Sequence, residues 1–228
     1  ALSLLEEMRS AGLAPDAVRY NAVLTTCGRA KQWGRAVELF EGMEDAGVPP
    51  NAFHYSSVIS ACAKCGQADV AMRLFDQMPT KGIKPNAIVY NAAISVCGNG
   101  GRTERALSLL DEMRDAGVLP TVVSFGAVIH ACNEGGRWKR AVGLLDEMRG
   151  DGVAPNDQCF NSAISACGKG GNCERALSLL IEMQAAGVAP TAVSYGCAIN
   201  ACDVAGRWER ALSLLEEMRS AGLAPDAV

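Results

Sequence analysis

The eighteen residues ALSLLEEMRSAGLAPDAV open this chain at 1–18 and close it at 211–228, an offset of 210 residues, or six periods of 35. Residues between the two ends keep the same step. Proline recurs at 15, 50, 85, 120, 155, 190 and 225, methionine at 8, 43, 78, 113, 148, 183 and 218, and cysteine at 27, 62, 97, 132, 167 and 202. Three chemically unrelated residue types held to one period mark a tandem array, in which each unit buries its apolar faces against its neighbours rather than in a central core.

Each unit reads as a helical hairpin. In the first complete one, Val18, Tyr20, Val23, Leu24 and Cys27 recur at spacings of three and four, which predicts an amphipathic helix ending near Gly28 to Ala30. A short polar stretch follows. Trp33, Ala36, Val37, Leu39, Phe40 and Met43 then predict a second helix, closed by Gly47 and Pro49-Pro50. Glycine stands between the helices in five of six units (Gly66, Gly101, Gly136, Gly171, Gly206). The domain organisation that follows is a half repeat at 1–16 (second helix only), six repeats at 17–51, 52–86, 87–121, 122–156, 157–191 and 192–226, and the start of a truncated repeat at 227–228. The fold class is all-α, an α-solenoid of tandem helix-turn-helix units.

Composition narrows the packing chemistry. Apolar residues make up 49% of the chain but aromatics only 5%, so Leu, Val, Ala, Met and Cys must fill the space between layers. An alanine column (Ala36, Ala71, Ala106, Ala141, Ala176, Ala211) predicts close helix approach within each hairpin. Trp33, Trp138 and Trp208 share a place with Ala68, Thr103 and Cys173, and that range of sizes predicts a partly exposed structural position. No run of about 18 apolar residues is present, so no membrane partner is expected. Six of the ten cysteines occupy one helical column and read as small buried hydrophobes in a reducing compartment. Cys62 and Cys65 have half of a zinc spacing without a second pair or a His at ligand distance, so neither metal nor other cofactor is expected.

Each first helix opens with an aromatic followed by a small residue (Tyr20-Asn21, Tyr55-Ser56, Tyr90-Asn91, Phe125-Gly126, Phe160-Asn161, Tyr195-Gly196). Each second helix reads approximately R-A-L-S-L-L-D-E-M-R, and the unit closes on G-V-x-P with Asn, Asp or Thr after the proline. Along its whole length the chain resembles the pentatricopeptide-repeat family, in its 35-residue form. That resemblance implies a right-handed superhelix whose first helices line a concave groove, where single-stranded RNA lies with one base per repeat. Unstacked bases offer a π-face for packing and a Watson–Crick edge for hydrogen bonding.

The resemblance further implies three working places per repeat. The residue two before the aromatic packs on the base: Val18, Phe53, Ile88, Val123, Gln158 and Val193, of which Gln158 departs from the apolar pattern. The residue after the aromatic (Asn21, Ser56, Asn91, Gly126, Asn161, Gly196) and the residue after the proline (Asn51, Asn86, Thr121, Asn156, Thr191, Asp226) select it. Taken in those pairs, the family's code gives a target near 5′-YAYAYG-3′, with poor discrimination where glycine stands. A phosphate-facing column near the end of the first helix holds Arg29, Lys64 and Lys169, but also Asn99, Glu134 and Val204.

Charge opposes this reading, because the chain carries a formal −4 where an RNA binder should be basic. Much of the acid lies on second helices (Glu6, Glu7, Asp111, Glu112, Asp146, Glu147, Glu216, Glu217), which line the outer face in the family. The alternative reading is a protein-interaction scaffold or a structural subunit of an organelle ribonucleoprotein. An enzyme is not expected: His54 and His130 stand at different places in different units, without a fixed partner in the sequence. The resemblance implies a mitochondrion or chloroplast setting. Protein partners, and head-to-tail self-association through the apolar face of the last helix, complete the expected contacts.

Overall fold

The computed structural model describes residues 16–224. Asp226, the half repeat before Asp16 and residues 227–228 lie outside that range. Twelve helices of 13 residues each fill the described residues, two per repeat. The first helices are Ala17–Arg29, Ala52–Lys64, Ala87–Asn99, Val122–Glu134, Asp157–Lys169 and Ala192–Val204. The second helices are Trp33–Asp45, Ala68–Thr80, Thr103–Asp115, Trp138–Gly150, Cys173–Ala185 and Trp208–Ser220.

The two ends of each hairpin are set by different chemistry. Every first helix follows a residue in the extended region whose side-chain oxygen accepts a helix N–H: Asp16, Asn51, Asn86, Thr121, Asn156 and Thr191. Such caps satisfy N–H groups that the helix cannot pair internally. Four second helices start without a side-chain cap, after Gln32, Gln67, Arg137 and Arg207, whereas Asn172 caps the helix that begins at Cys173. At their C-terminal ends the backbone closes on itself. Gly47 takes φ +74°, and the N–H groups of Gly47 and Val48 donate to the carbonyls of Glu44 (2.9 Å) and Met43 (3.0 Å). This is the Schellman arrangement, which requires a left-handed residue after the helix. The same closure ends the first helices, and in repeat 1 it falls on Lys31, at φ 55°, where the later repeats place glycine.

The helices gather into two compact units. One comprises the residues up to Gly100 together with Asp111–Leu119, the other Gly101–Leu110 together with the residues from Pro120 onward, so the helix Thr103–Asp115 contributes to both. Within each unit, consecutive first helices pack side by side, and each second helix packs on its own first helix and on that of the following repeat. In the first unit, aromatic edges wedge that second junction: Phe40 meets Tyr55 at 4.7 Å between centroids and 72°, and Phe75 meets Tyr90 at 5.4 Å and 66°. Such pairs add roughly 0.5–1.5 kcal/mol each to their area burial. Small residues let neighbouring first helices close up. A Cβ built on Gly28 would lie 3.2 Å from Ala61 Cβ, and one on Gly168 only 3.0 Å from Ala201 Cβ.

The tryptophan place proves to be an inter-repeat contact. It meets the residue that closes the next first helix: Ala68 faces Gly100, Thr103 faces Gly135, and Trp138 faces Gly170 so closely that no side chain fits there. Thr103 and Cys173 are buried, Trp33 and Trp138 half-buried and Trp208 exposed, so the place is graded rather than uniformly part-exposed.

All six column cysteines are buried and free. Burial pushes the thiols of Cys62, Cys132 and Cys167 up to about 11. Cys202, whose Sγ lies 3.1 Å from that of Cys173, is pushed to about 12, first by burial and then by that neighbour. The partner of His54, absent from the sequence pattern, is supplied by the fold. Its Nδ1 accepts from Asn51 N (3.1 Å), so Nε2 carries the proton and donates to Ala17 O at 2.8 Å, tying repeat 2 to the start of repeat 1.

Candidate nucleic-acid interface

One place on the first helices repeatedly leaves apolar side chains in solvent. In the first unit these are Val18, Phe53 and Ile88, and in the second Val123 and Val193, with exposures between 56% and 77%. Gln158 holds the same place in repeat 5 and is exposed as well. Two residues further on, the aromatic of each repeat is buried, as are Tyr20 and Phe160 almost completely. A single exposed apolar residue is ordinary, but one regularly repeated on packed helices makes a surface that a ligand can cover.

The residues that follow the aromatic sit beside that row with different freedom. Asn21, Asn91 and Asn161 are half-buried and Gly196 is exposed, whereas Ser56 is 7% exposed and so buried, which the sequence did not foretell. Asn21 Oδ1 accepts a 2.8 Å hydrogen bond from Ser57 Oγ of the next repeat. Asn161 Oδ1 is buried and accepts from nothing. It borders a cavity of about 500 Å³, lined also by Asn133, Asp157, Ser165, Val193 and Cys197. At Gly196 a Cβ would meet nothing within 4 Å, and at Gly126 it would touch Cys159 Sγ at an ordinary 3.5 Å, so neither glycine is enforced by crowding.

The residues after the proline are the helix caps described above, a role that the proline-plus-polar pattern signals in addition to the base choice that the family resemblance implies. Asn86 Oδ1 accepts from Val89 N (3.0 Å) and Asn156 Oδ1 from Cys159 N (3.0 Å). Asn51 Oδ1 accepts from both Phe53 N (3.0 Å) and His54 N (3.3 Å). The cap uses only the oxygen of each asparagine, so its Nδ2 takes no part in the cap. Thr121 and Thr191 form reciprocal boxes with Ser124 and Ser194.

The basic column divides. Arg29 and Lys64, in the first unit, are exposed and form no ion pair among the described residues. Lys169, in the second, donates to Glu134 Oε1 at 2.9 Å and to the Asn133 carbonyl at 3.4 Å. The Lys169 ammonium, hydrogen-bonded to it, holds the Glu134 carboxyl below its ordinary value. Acidic residues of the second helices are largely committed to ion pairs, including Arg140 with Glu147, Arg175 with Glu182 and Arg210 with Glu217. Among the described residues, no group of three or more His, Cys, Asp or Glu side chains converges as a metal site. No described helix is long and apolar enough to cross a membrane.

These features define a class: helical-hairpin repeats that present a repeated apolar and amide-bearing row on their first helices. The chain belongs to the pentatricopeptide-repeat family, matching the model described as the pentacotripeptide-repeat region of PRORP over residues 6–149 and 137–227. It is similar to the crystal structure of the pentatricopeptide repeat protein PPR10 from maize, at 28% identity and a TM-score of 0.58, over 99% of this chain and 37% of that one. PPR10 in complex with an 18-nucleotide psaJ RNA element matches at 22% identity, with a TM-score of 0.67, over 99% of this chain and 38% of that one. The PPR domain of Arabidopsis thaliana protein-only RNase P 1, in complex with tRNA, shares the fold at 17% identity and a TM-score of 0.64, over 73% of this chain and 88% of that one. This chain thus spans little more than a third of the length of the PPR10 chains it matches. No curated protein matches.

Proposed function

We propose that the chain binds single-stranded RNA selectively, one base per repeat, with a target near 5′-YAYAYG-3′. The observation that carries the reading is the exposed apolar side chain repeated at one place of the first helices, at Val18, Phe53 and Ile88 in the first unit and at Val123 and Val193 in the second. Each offers a surface for the face of an unstacked base, and beside Val18, Phe53 and Ile88 stand Asn21, Ser56 and Asn91, whose amide and hydroxyl groups can read the base edge, whereas glycine stands beside Val123 and Val193. The RNA element bound by PPR10 and the tRNA bound by protein-only RNase P 1 support RNA as the ligand class. The base-selecting pairs run from Asn21 with Asn51 through Gly196 with Asp226. Arg29 and Lys64 supply phosphate contacts. Within a mitochondrion or chloroplast, such binding would serve RNA processing, stability or translation.

A second reading follows from the net charge of −4, which favours a protein partner over a polyanion. Binding of fluorescent CACACG, a scrambled strand and the matching duplex across a salt series separates the two. Tightest binding to the designed single strand supports the groove and its code. Equal, weak binding to all three removes the RNA reading and leaves the scaffold.

A further inference from the structure

Two of the six first helices carry glycine directly after the aromatic, Gly126 and Gly196, and neither is demanded by the backbone. Neither takes a left-handed φ, and an added Cβ would meet only Cys159 Sγ, at 3.5 Å, in the first and nothing within 4 Å in the second. Each instead weakens its helix relative to alanine. The residue one turn on supplies a reason. After Asn21, Ser56, Asn91 and Asn161 it is Thr25, Ser60, Ser95 and Ser165, whereas after Gly126 and Gly196 it is His130 and Asn200. A long hydrogen-bonding side chain stands at the second place wherever the first has no side chain, and only there.

The fold brings these two places together. A rise of about 1.5 Å per residue sets them roughly 6 Å apart along the helix, and helical side chains lean toward the N-terminal turn, so the later residue covers the surface over the earlier one. In repeat 1, Thr25 Oγ1 lies 3.4 Å from Ser57 Oγ, the same hydroxyl that donates to Asn21 Oδ1 at 2.8 Å. In repeat 5, Asn161 and Ser165 line one cavity, and in repeat 6 Gly196 and Asn200 line another, of about 680 Å³. His130 is half-buried and Asn200 exposed, and neither side chain forms a hydrogen bond among the described residues. The acid one turn on from His130, Glu134, is held by Lys169 at 2.9 Å.

We infer that His130 and Asn200 make the base-edge contacts of repeats 4 and 6, reaching over the glycine from the following turn. This rests on the reading of the chain as a binder of single-stranded RNA with one base per repeat. An imidazole, like a carboxamide, presents an N–H donor and an acceptor atom, and both can bond the edge of an unstacked base. The two repeats whose selecting place is bare thus hold their bases from one turn deeper in the helix.

Affinities of the whole chain for CACACG, and for the same strand made abasic at the third, fourth or sixth base, measure what each base contributes. The variants are His130→Ser and Asn200→Ser and, in repeat 3, Asn91→Gly alone and combined with Ser95→His. Serine occupies the place of His130 and Asn200 in repeats 2, 3 and 5, so neither exchange strains its helix. In the parent every abasic strand should bind more weakly. His130→Ser should lessen the penalty at the fourth base by roughly fivefold, the worth of one hydrogen bond, and leave the third and sixth unchanged; Asn200→Ser should do so at the sixth alone. Asn91→Gly should lessen the penalty at the third base, and the added Ser95→His should restore it. Penalties that stay the same in His130→Ser and Asn200→Ser, that fall equally at every base, or that Ser95→His does not restore overturn the inference while leaving the RNA reading in place. A parent chain that binds none of the strands removes the RNA reading and this inference with it.

Discussion

Glu134→Gln should strengthen RNA binding and make it more sensitive to salt. In the parent, Lys169 sits 2.9 Å from the Glu134 carboxylate, so a phosphate must displace an anion already in place. The pair is part-exposed, each side chain 44% accessible, and exposed pairs of this kind are worth about 0.2–1 kcal/mol. Releasing it can therefore raise affinity by no more than about fivefold at low salt. The salt dependence is the sharper readout. Each additional phosphate neutralised on a single strand steepens the slope of log K against log[salt] by about 0.7, so raising salt from 50 to 200 mM should cost the variant about 2.6-fold more affinity than the parent. Fluorescence anisotropy titrations at four salt concentrations give both quantities. Lys169→Ala should change little in the parent but return the Glu134→Gln variant to the parent slope. Coincident slopes for parent and Glu134→Gln, or a full loss on Lys169→Ala alone, would refute the reasoning.

Removing the cap in Asn156→Ala should cost about 1 kcal/mol of stability by denaturant titration, whereas Asn156→Asp should retain most of it, because the cap needs only an oxygen at that position. Gly168→Ala should destabilise by about 1–3 kcal/mol, since its methyl group would press on Ala201 Cβ at 3.0 Å and Cα at 3.2 Å between two helices; a neutral result would mean that the first helices separate easily. Lys31→Gly should stabilise by about 1 kcal/mol in the same assay by removing a side chain from left-handed backbone, the gain being trimmed by the greater freedom of the unfolded chain. For the buried cysteines the folded thiol keeps its proton after the unfolded one has lost it, so the unfolded state is favoured as pH rises past about 9, and midpoint temperature should fall above that pH. At pH 8 only about one such thiol in a thousand is ionised, and iodoacetamide should label Cys65 well before Cys62.

The architecture was legible because it is written six times over. Apolar spacing around Tyr20, Leu24 and Cys27 predicts the helix found at Ala17–Arg29, and the glycine columns predict the closures at Gly47 and Gly66, both in left-handed backbone. What escaped the sequence is the chemistry between repeats. The hydrogen bonds from Ser57 to Asn21 and from His54 to Ala17 join residues 36 and 37 positions apart, and each is made by a residue whose column varies from repeat to repeat. Periodicity highlights what the units have in common and hides such exceptions. The burial of Ser56 and the pairing of Lys169 with Glu134 were likewise invisible, because both depend on a neighbour one layer away. The proline-plus-polar ending did announce a helix cap, and that signal could have been read from the hydrogen-bonding needs of any helix start.

The caps carry a consequence for how such a protein changes its target. On the proposed reading, the side chain after each proline both starts a helix and takes part in choosing a base. Asn51, Asn86, Thr121, Asn156 and Thr191 all come from the short set of residues whose side-chain oxygen can reach a helix N–H. Drift at this place is filtered by folding before it is tested by RNA: Asn, Asp, Ser and Thr remain interchangeable, while most other substitutions weaken the repeat whatever base they would prefer. The recognition vocabulary at that place is thus inherited from helix formation, and a lineage can retarget one repeat at a time without leaving the folded state.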